Sequence, residues 1–295
     1  MDKTYEKPIH VVTLIVKNGD AEHVLSVLRG QWGINPVLFS SPEDDSSLLS
    51  LYFEDEVSAL LAGAACCAEP GVHSYSVSTT KAEDWKMFFR GQFSMREIGK
   101  KLRICPVWEK EHVPDDNRIN VWVDPGLSFG NGEHFTTAFC LEMIDRIWLN
   151  SAPGSFLDVG AGSGLLAIAG ARLGCPVVLA IERDRGILPY ADENVVRNQV
   201  SDCVKLRCLD IEHNRITGCF EVVCANLISK VLIDCAPILT AITGTTLVLS
   251  GIRTCEVDRV ADAYLQLGGK EIIRRSDGEW AGLVFEFVGS QEICP

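Results

Sequence analysis

Residues 9–16, IHVVTLIV, are almost all apolar and rich in β-branched side chains, which reads as a strand. In DAEHVLSVLR (20–29) the apolar positions fall at helical spacing, with Asp20 as N-cap and Gly30 to stop the helix. Strands follow near 36–40 and 48–54, then a helix near 56–68 and a strand near 72–79. The order β-α-β-β-α-β is that of the ferredoxin-like split unit, and it predicts a small α+β domain over residues 1–80.

Residues 81–117 break the pattern. The stretch DWKMFFRGQFSMREIGKKLRICPVWEK (84–110) mixes a basic cluster with Trp85 and Trp108, and the polar, turn-like EHVPDDNR follows. It reads as an interdomain segment that packs its aromatics against one domain, with a peptide-binding surface as the other reading. From 118 to 295 strand and helix patterns alternate. Strands are predicted near 155–159, 176–182, 204–208, 220–225, 245–250, 270–275 and 282–288. Helices are predicted near 134–149, 163–173, 186–198, 228–240 and 255–267. Such alternation argues for a mostly parallel α/β sheet with helices on both faces. Only SDGEWA separates the last two strands, too short for a crossover helix, so they pair antiparallel or sit apart.

The chemistry concentrates at FLDVGAGSGLLAIA (156–169), where the first strand of this alternating half runs into a glycine turn. Ligands of such sheets sit at the carboxyl ends of the strands near the switch point. A dinucleotide fingerprint spaces its glycines G-x-G-x-x-G; here Gly160, Gly162 and Gly164 read G-x-G-x-G. Asp158, two residues before the turn, suits a cationic ligand better than a pyrophosphate. Glu182 stands 22 residues after Gly160 at the next strand end, where a carboxylate can accept both hydroxyls of a ribose. Asp158, Gly160, Gly162 and Glu182 together favour S-adenosylmethionine, a sulfonium cation with an adenosine. A structural turn for the glycines and a solvated strand end for Glu182 are the plain alternatives. Asn226, just past the strand in VVCANLIS, can accept a hydrogen bond from an amine or contact the cofactor. In DPGLSFGNGEHFTTAFC (124–140), Thr136 and Thr137 start a helix, where a hydroxyl either caps the helix or holds a ligand carboxylate. His134 in the same loop is a candidate acid–base residue or a structural histidine.

The totals narrow the setting. A net charge of −13 disfavours direct nucleic-acid binding and fits a basic partner, a cationic ligand or plain solubility. The 12 cysteines are scattered without a CxxC or a zinc-type spacing, so no metal is expected and free thiols in a reducing compartment are. No apolar run reaches the length of a membrane span, and the first residues lack a secretory pattern. A cytoplasmic, monomeric protein with no membrane attachment is the expectation.

Several stretches resemble one known family. DPGLSFGNGEHFTT is similar to its D-P-G-x-A-F-G-T-G-x-H-x-T-T pattern, and FLDVGAGSGLLAIA to its D-x-G-x-G-S-G-I-L-A-I-A. ANLI (225–228), LSGI (249–252) and the DWKMFFRGQFSMREIGKKLRICPVWE stretch also match it in order. The family is the ribosomal protein L-eleven methyltransferases (PrmA). The resemblance covers essentially the whole chain. It implies a class I methyltransferase domain, Rossmann-like, behind a small domain that recognises substrate. The implied activity is S-adenosylmethionine-dependent N-methylation of lysine and N-terminal amines on a basic ribosomal protein. The implied cofactor contacts are Thr137, Gly160, Glu182 and Asn226. The loop departs from the family at Asn131, Glu133 and Phe135, and Glu182 stands where Asp is usual. A methyltransferase of the same fold acting on another substrate, and a cofactor-binding module without transfer, stay open at this point.

Overall fold

The structure is a computed structural model of the chain. It describes residues 9–32, 37–40, 46–53, 55–80, 94–124, 134–149, 152–214 and 216–287. The chain divides into two compact units, Met1–Gln92 and Phe93–Pro295.

The first unit holds β1 (Ile9–Lys17), α1 (Ala21–Trp32), β2 (Val37–Ser40), β3 (Ser46–Phe53), α2 (Glu56–Cys66) and β4 (Val72–Thr80). Its antiparallel sheet runs β2-β3-β1-β4, the ferredoxin-like order. Strand alternation explains the core. Val12, Leu14 and Val16 of β1 and Leu49 and Leu51 of β3 point to one face, where they meet Val24, Leu25 and Leu28 of α1 and Ala59 of α2. Asp55 caps α2 by accepting the Ser58 amide at 2.8 Å.

The second unit begins with a short sheet made of β5 (Arg96–Ile98), β6 (Leu102–Pro106) and β7 (Ile119–Val123). The expected interdomain segment therefore folds, over its described residues, with the second unit. Two things secure it. Ile98, Leu102, Ile104, Val121 and Val123 are buried in the same apolar cluster as Trp148 and Phe156. The buried Asp145 accepts the Lys100 and Lys101 amides, each at 2.8 Å. Within this sheet Arg103 is fully buried, ion-paired with Asp116 and, at 3.2 Å, with Glu97.

The main elements follow: α3 (Phe135–Ile147), β8 (Phe156–Val159), α4 (Leu165–Arg172), β9 (Val178–Glu182), α5 (Leu188–Arg197), β10 (Val204–Cys208) and β11 (Phe220–Asn226). They are completed by α6 (Ser229–Asp234), α7 (Ala236–Ile242), β12 (Thr243–Arg253), α8 (Val257–Leu265), β13 (Lys270–Ser276) and β14 (Trp280–Glu286). The sheet order is β10-β9-β8-β11-β12-β14-β13. The first five are parallel, and β14 runs antiparallel to both β12 and β13. The short connection between the last two strands is thus a hairpin. The helix expected over 228–240 is two helices, because Pro237 enters the first turn of α7 and cannot continue the hydrogen bonding of α6. Apolar clusters cover both faces of the sheet. The order reverses between β8 and β11, which opens a crevice at their carboxyl ends.

Among the described residues ten cysteines are free thiols, while Cys219 is disulfide-bonded, which departs from the expectation of free thiols at that position.

Candidate cofactor and amine site

At the end of β8 the chain turns through Gly160, Gly162 and Gly164, whose φ angles are +77°, +53° and +79°. These are left-handed conformations that only glycine adopts without strain. The Gly160 and Ala161 amides both donate to the Ile181 carbonyl, at 2.9 and 3.0 Å, so the turn is folded onto the end of β9. The turn is approached by Leu227: a β-carbon on Gly160 would stand 2.5 Å from Leu227 Cδ2. On the other side of Leu227, a β-carbon on Gly251 (φ +81°) would stand 2.4 Å from the Leu227 carbonyl oxygen. Leu227 is thus wedged between two glycines, which fixes the chain immediately after Asn226.

Glu182 ends β9. Its Oε2 accepts the Gly162 amide at 3.0 Å and its Oε1 accepts the Asp184 amide at 3.0 Å. The carboxylate is half-buried and oriented by backbone, so the turn and the acid form one unit.

Asp158 occupies a different place from the one its sequence position suggests. It is fully buried beneath the turn rather than lining the crevice. Its Oδ2 accepts the Ala167 amide of α4 at 3.0 Å, and its Oδ1 is buried without a hydrogen-bond partner among the described residues. Burial is the main cause that raises the carboxyl to about 7; the Ala167 bond opposes it, and the nearby Glu182 charge adds to it.

Asn226 ends β11, whose preceding residue Ala225 pairs with Val159. It therefore lies beside Gly160. Its Nδ2 donates to Thr137 Oγ1 at 3.4 Å, joining the first turn of α3 to the crevice. Thr137 is buried. With the amide nitrogen directed at Thr137, the Asn226 Oδ1 is the acceptor an incoming amine can use.

His134 has the geometry of a helix cap. It is the N-cap of α3, with Nδ1 2.8 Å from Thr136 Oγ1 and 3.4 Å from the Thr136 amide. Its ring meets the Trp280 ring edge-on at 5.1 Å, and Arg253 lies over Trp280 at 4.3 Å. Of the loop's three departures, Asn131 and Glu133 lie outside the described residues, and Phe135 opens α3.

The structure also brings in residues that the sequence did not single out. Asp210 follows β10 as Glu182 ends β9, and the Leu209 amide donates to the Glu182 carbonyl at 2.9 Å. Its position at a third strand end was the available signal. Asn194 on α5 and Asn198 at its C-cap are buried. Helical asparagines carry no such signal, because polar positions in an amphipathic helix read as its wet face. Among the described residues no helix is long and apolar enough to cross a membrane.

The sheet order, the glycine turn after β8 and the acid at the end of β9 define a class I methyltransferase fold. A solved ribosomal protein L11 methylase from Lactobacillus delbrueckii subsp. bulgaricus superimposes with a TM-score of 0.59 at 28% identity, covering 65% of this chain and 98% of that one. The family model for ribosomal protein L11 methyltransferase (PrmA) matches residues 34–287. The L11 methyltransferase of Desulforamulus reducens is 37% identical over 67% of this chain and 64% of its own length. That of Geotalea daltonii is 36% identical over 70% of this chain and 68% of its own. The chain belongs to the ribosomal protein L11 methyltransferase family.

Proposed function

We propose that the protein transfers methyl groups from S-adenosylmethionine to lysine and N-terminal amines of a basic ribosomal protein of the L11 type. The observation that carries the reading is the Glu182 carboxylate, held by the Gly162 and Asp184 amides at the rim of a G-x-G-x-G turn. That arrangement suits a ligand with ribose hydroxyls and no phosphate at the turn. Glu182, the turn of Gly160 and Gly162, and the Asn226–Thr137 pair are the residues assigned to hold the cofactor and the amine.

The bound cofactor supplies an activated methyl group. The chain's part is to position the amine and keep it neutral. A free lysine amine has a pKa of about 10.4, and an apolar, water-poor crevice disfavours its charged form. Asn226 Oδ1 accepts a hydrogen from the amine and aims its lone pair, while Thr137 holds the Asn226 amide in that orientation. The first unit is the substrate-holding part in this reading. The acidic chain acts as a cytoplasmic monomer on protein rather than on nucleic acid.

The test is incubation of the protein with labelled S-adenosylmethionine and purified L11-type protein, alongside calorimetry of cofactor binding. Transfer to that protein at lysine and N-terminal positions is expected. Glu182→Ala removes charge-assisted bonds worth about 1.5–3 kcal/mol each, so cofactor affinity falls more than about tenfold. Unchanged affinity removes Glu182 from the site, and tight binding of NAD by the parent overturns the reading.

A further inference from the structure

Asn194 is completely buried on α5, and every polar atom of its side chain is used. Its Nδ2 donates to two carbonyls, those of Asp124 and Ser163, both at 3.0 Å. Its Oδ1 accepts the Asp124 amide at 3.0 Å and an Arg197 N–H at 2.5 Å. Toward Asp124 the side chain acts as one more rung of a strand, pairing both amide and carbonyl. Toward Ser163 it reaches the glycine turn. Asn198, one helical turn on, pairs in the same way with Trp122 of β7, taking its amide at 2.8 Å and donating to its carbonyl at 2.6 Å. Among the described residues Asn198 makes no hydrogen bond to the turn; its Nδ2 also donates to the Asn194 carbonyl at 2.8 Å.

The two asparagines therefore do different things. Both dock the free edge of β7 on α5. Of the two, Asn194 also ties that docked strand end to Ser163 in the turn.

We propose that Asn194 is a positioning residue for methyl transfer, holding the cofactor turn in register against the end of β7. It touches neither cofactor nor amine in this role, and it acts through Ser163 and Asp124. Losing this side chain takes a donor from the Asp124 and Ser163 carbonyls and an acceptor from the Asp124 amide, so the strand end and the turn can shift against each other. A displacement of about 1 Å between reacting groups lowers a rate about 100-fold. The inference rests on the functional reading above and deepens it.

Asn194→Asp is the informative change. It is isosteric and keeps the acceptor that Asp124 and Arg197 use, but it sets an oxygen against the Asp124 and Ser163 carbonyls. Asn194→Ser is made alongside, should the carboxylate prevent folding, and Asn198→Ser is the control for docking alone. Cofactor affinity, kcat and the KM for the protein substrate are measured for each full-length variant. For both Asn194 variants, kcat is expected to fall about 100-fold and cofactor affinity about tenfold, with the protein KM within about threefold of the parent. Asn198→Ser should lower the melting temperature comparably yet keep kcat within about threefold. Equal kcat losses at 194 and 198, or a folded Asn194 variant with parental kcat, overturn the inference alone. A parent that binds no cofactor overturns the functional reading and the inference with it.

Discussion

The Leu227 side chain closes over the α-carbon of Gly160, leaving 2.5 Å between Leu227 Cδ2 and the place of a β-carbon. The same residue's carbonyl oxygen stands 2.4 Å from the place of a β-carbon on Gly251. The two contacts differ in kind. A leucine methyl can swing aside, whereas a backbone carbonyl pinned in the strand connection cannot. Both glycines also have φ near +80°, which costs any other residue about 1–2 kcal/mol. Gly160→Ala is expected to destabilise by about that amount, and Gly251→Ala by about 1–3 kcal/mol more through overpacking. Denaturant unfolding of the two variants checks the ranking, and a Gly251→Ala variant at least as stable as Gly160→Ala refutes it.

Asp158 makes stability depend on pH in a direction opposite to that of a surface carboxylate. Its carboxyl is raised to about 7 in the folded chain, mainly by burial, against about 3.9 when unfolded. Between those values the folded chain binds a proton that the unfolded chain has lost. Its contribution to stability therefore falls as pH rises from about 4 to about 7. Asp158→Asn does not titrate, so its melting temperature should gain on the parent's across that window. A parent that gains on the variant with rising pH contradicts the assignment.

The capping geometry of His134 predicts that it is dispensable for proton transfer. His134→Ala loses the cap of α3 and should cost about 1 kcal/mol. His134→Asn keeps a capping acceptor and should restore the stability. Both variants should keep the shape of the parental kcat–pH profile. Loss of an ionisation from that profile in the stable Asn variant would assign His134 an acid–base role.

The parts of the fold set by local pattern were legible in the sequence. Alternation of β-branched strands with capped helices gives both the ferredoxin-like order and the elements of the seven-stranded sheet, because those elements bury regular faces. The sheet of β5–β7 was not legible. Its strands are short, its parallel pair is joined by residues 107–118 without an α-helix, and Arg103 lies buried inside it. A buried guanidinium looks like a surface charge until Glu97 and Asp116 are seen beside it. The site divides in the same way. The Gly160 turn and Glu182 were readable because backbone geometry and strand ends leave marks in sequence. The burial of Asp158 and the pairing of Asn194 with a distant strand edge depend on tertiary placement alone.

That buried sheet decides where the second unit can be cut. A fragment of residues 93–295 retains β5 and β6, so Ile98, Leu102 and Ile104 stay in the cluster with Trp148. A fragment of 118–295 removes those side chains and leaves β7 without its partner β6. It also strips the buried Asp145 of the Lys100 and Lys101 amides. An unpaired buried charge costs several kcal/mol, comparable to the stability of a whole domain. The longer fragment should therefore melt cooperatively and bind S-adenosylmethionine about as tightly as the full chain, while methylating a protein target poorly for want of the first unit. The shorter fragment should be unfolded or aggregate. Circular dichroism melts and calorimetry of the two fragments decide the matter. Cooperative folding of 118–295 with parental cofactor affinity would show that β5 and β6 are dispensable, and full protein-methylating activity in 93–295 would remove the substrate-holding role from the first unit.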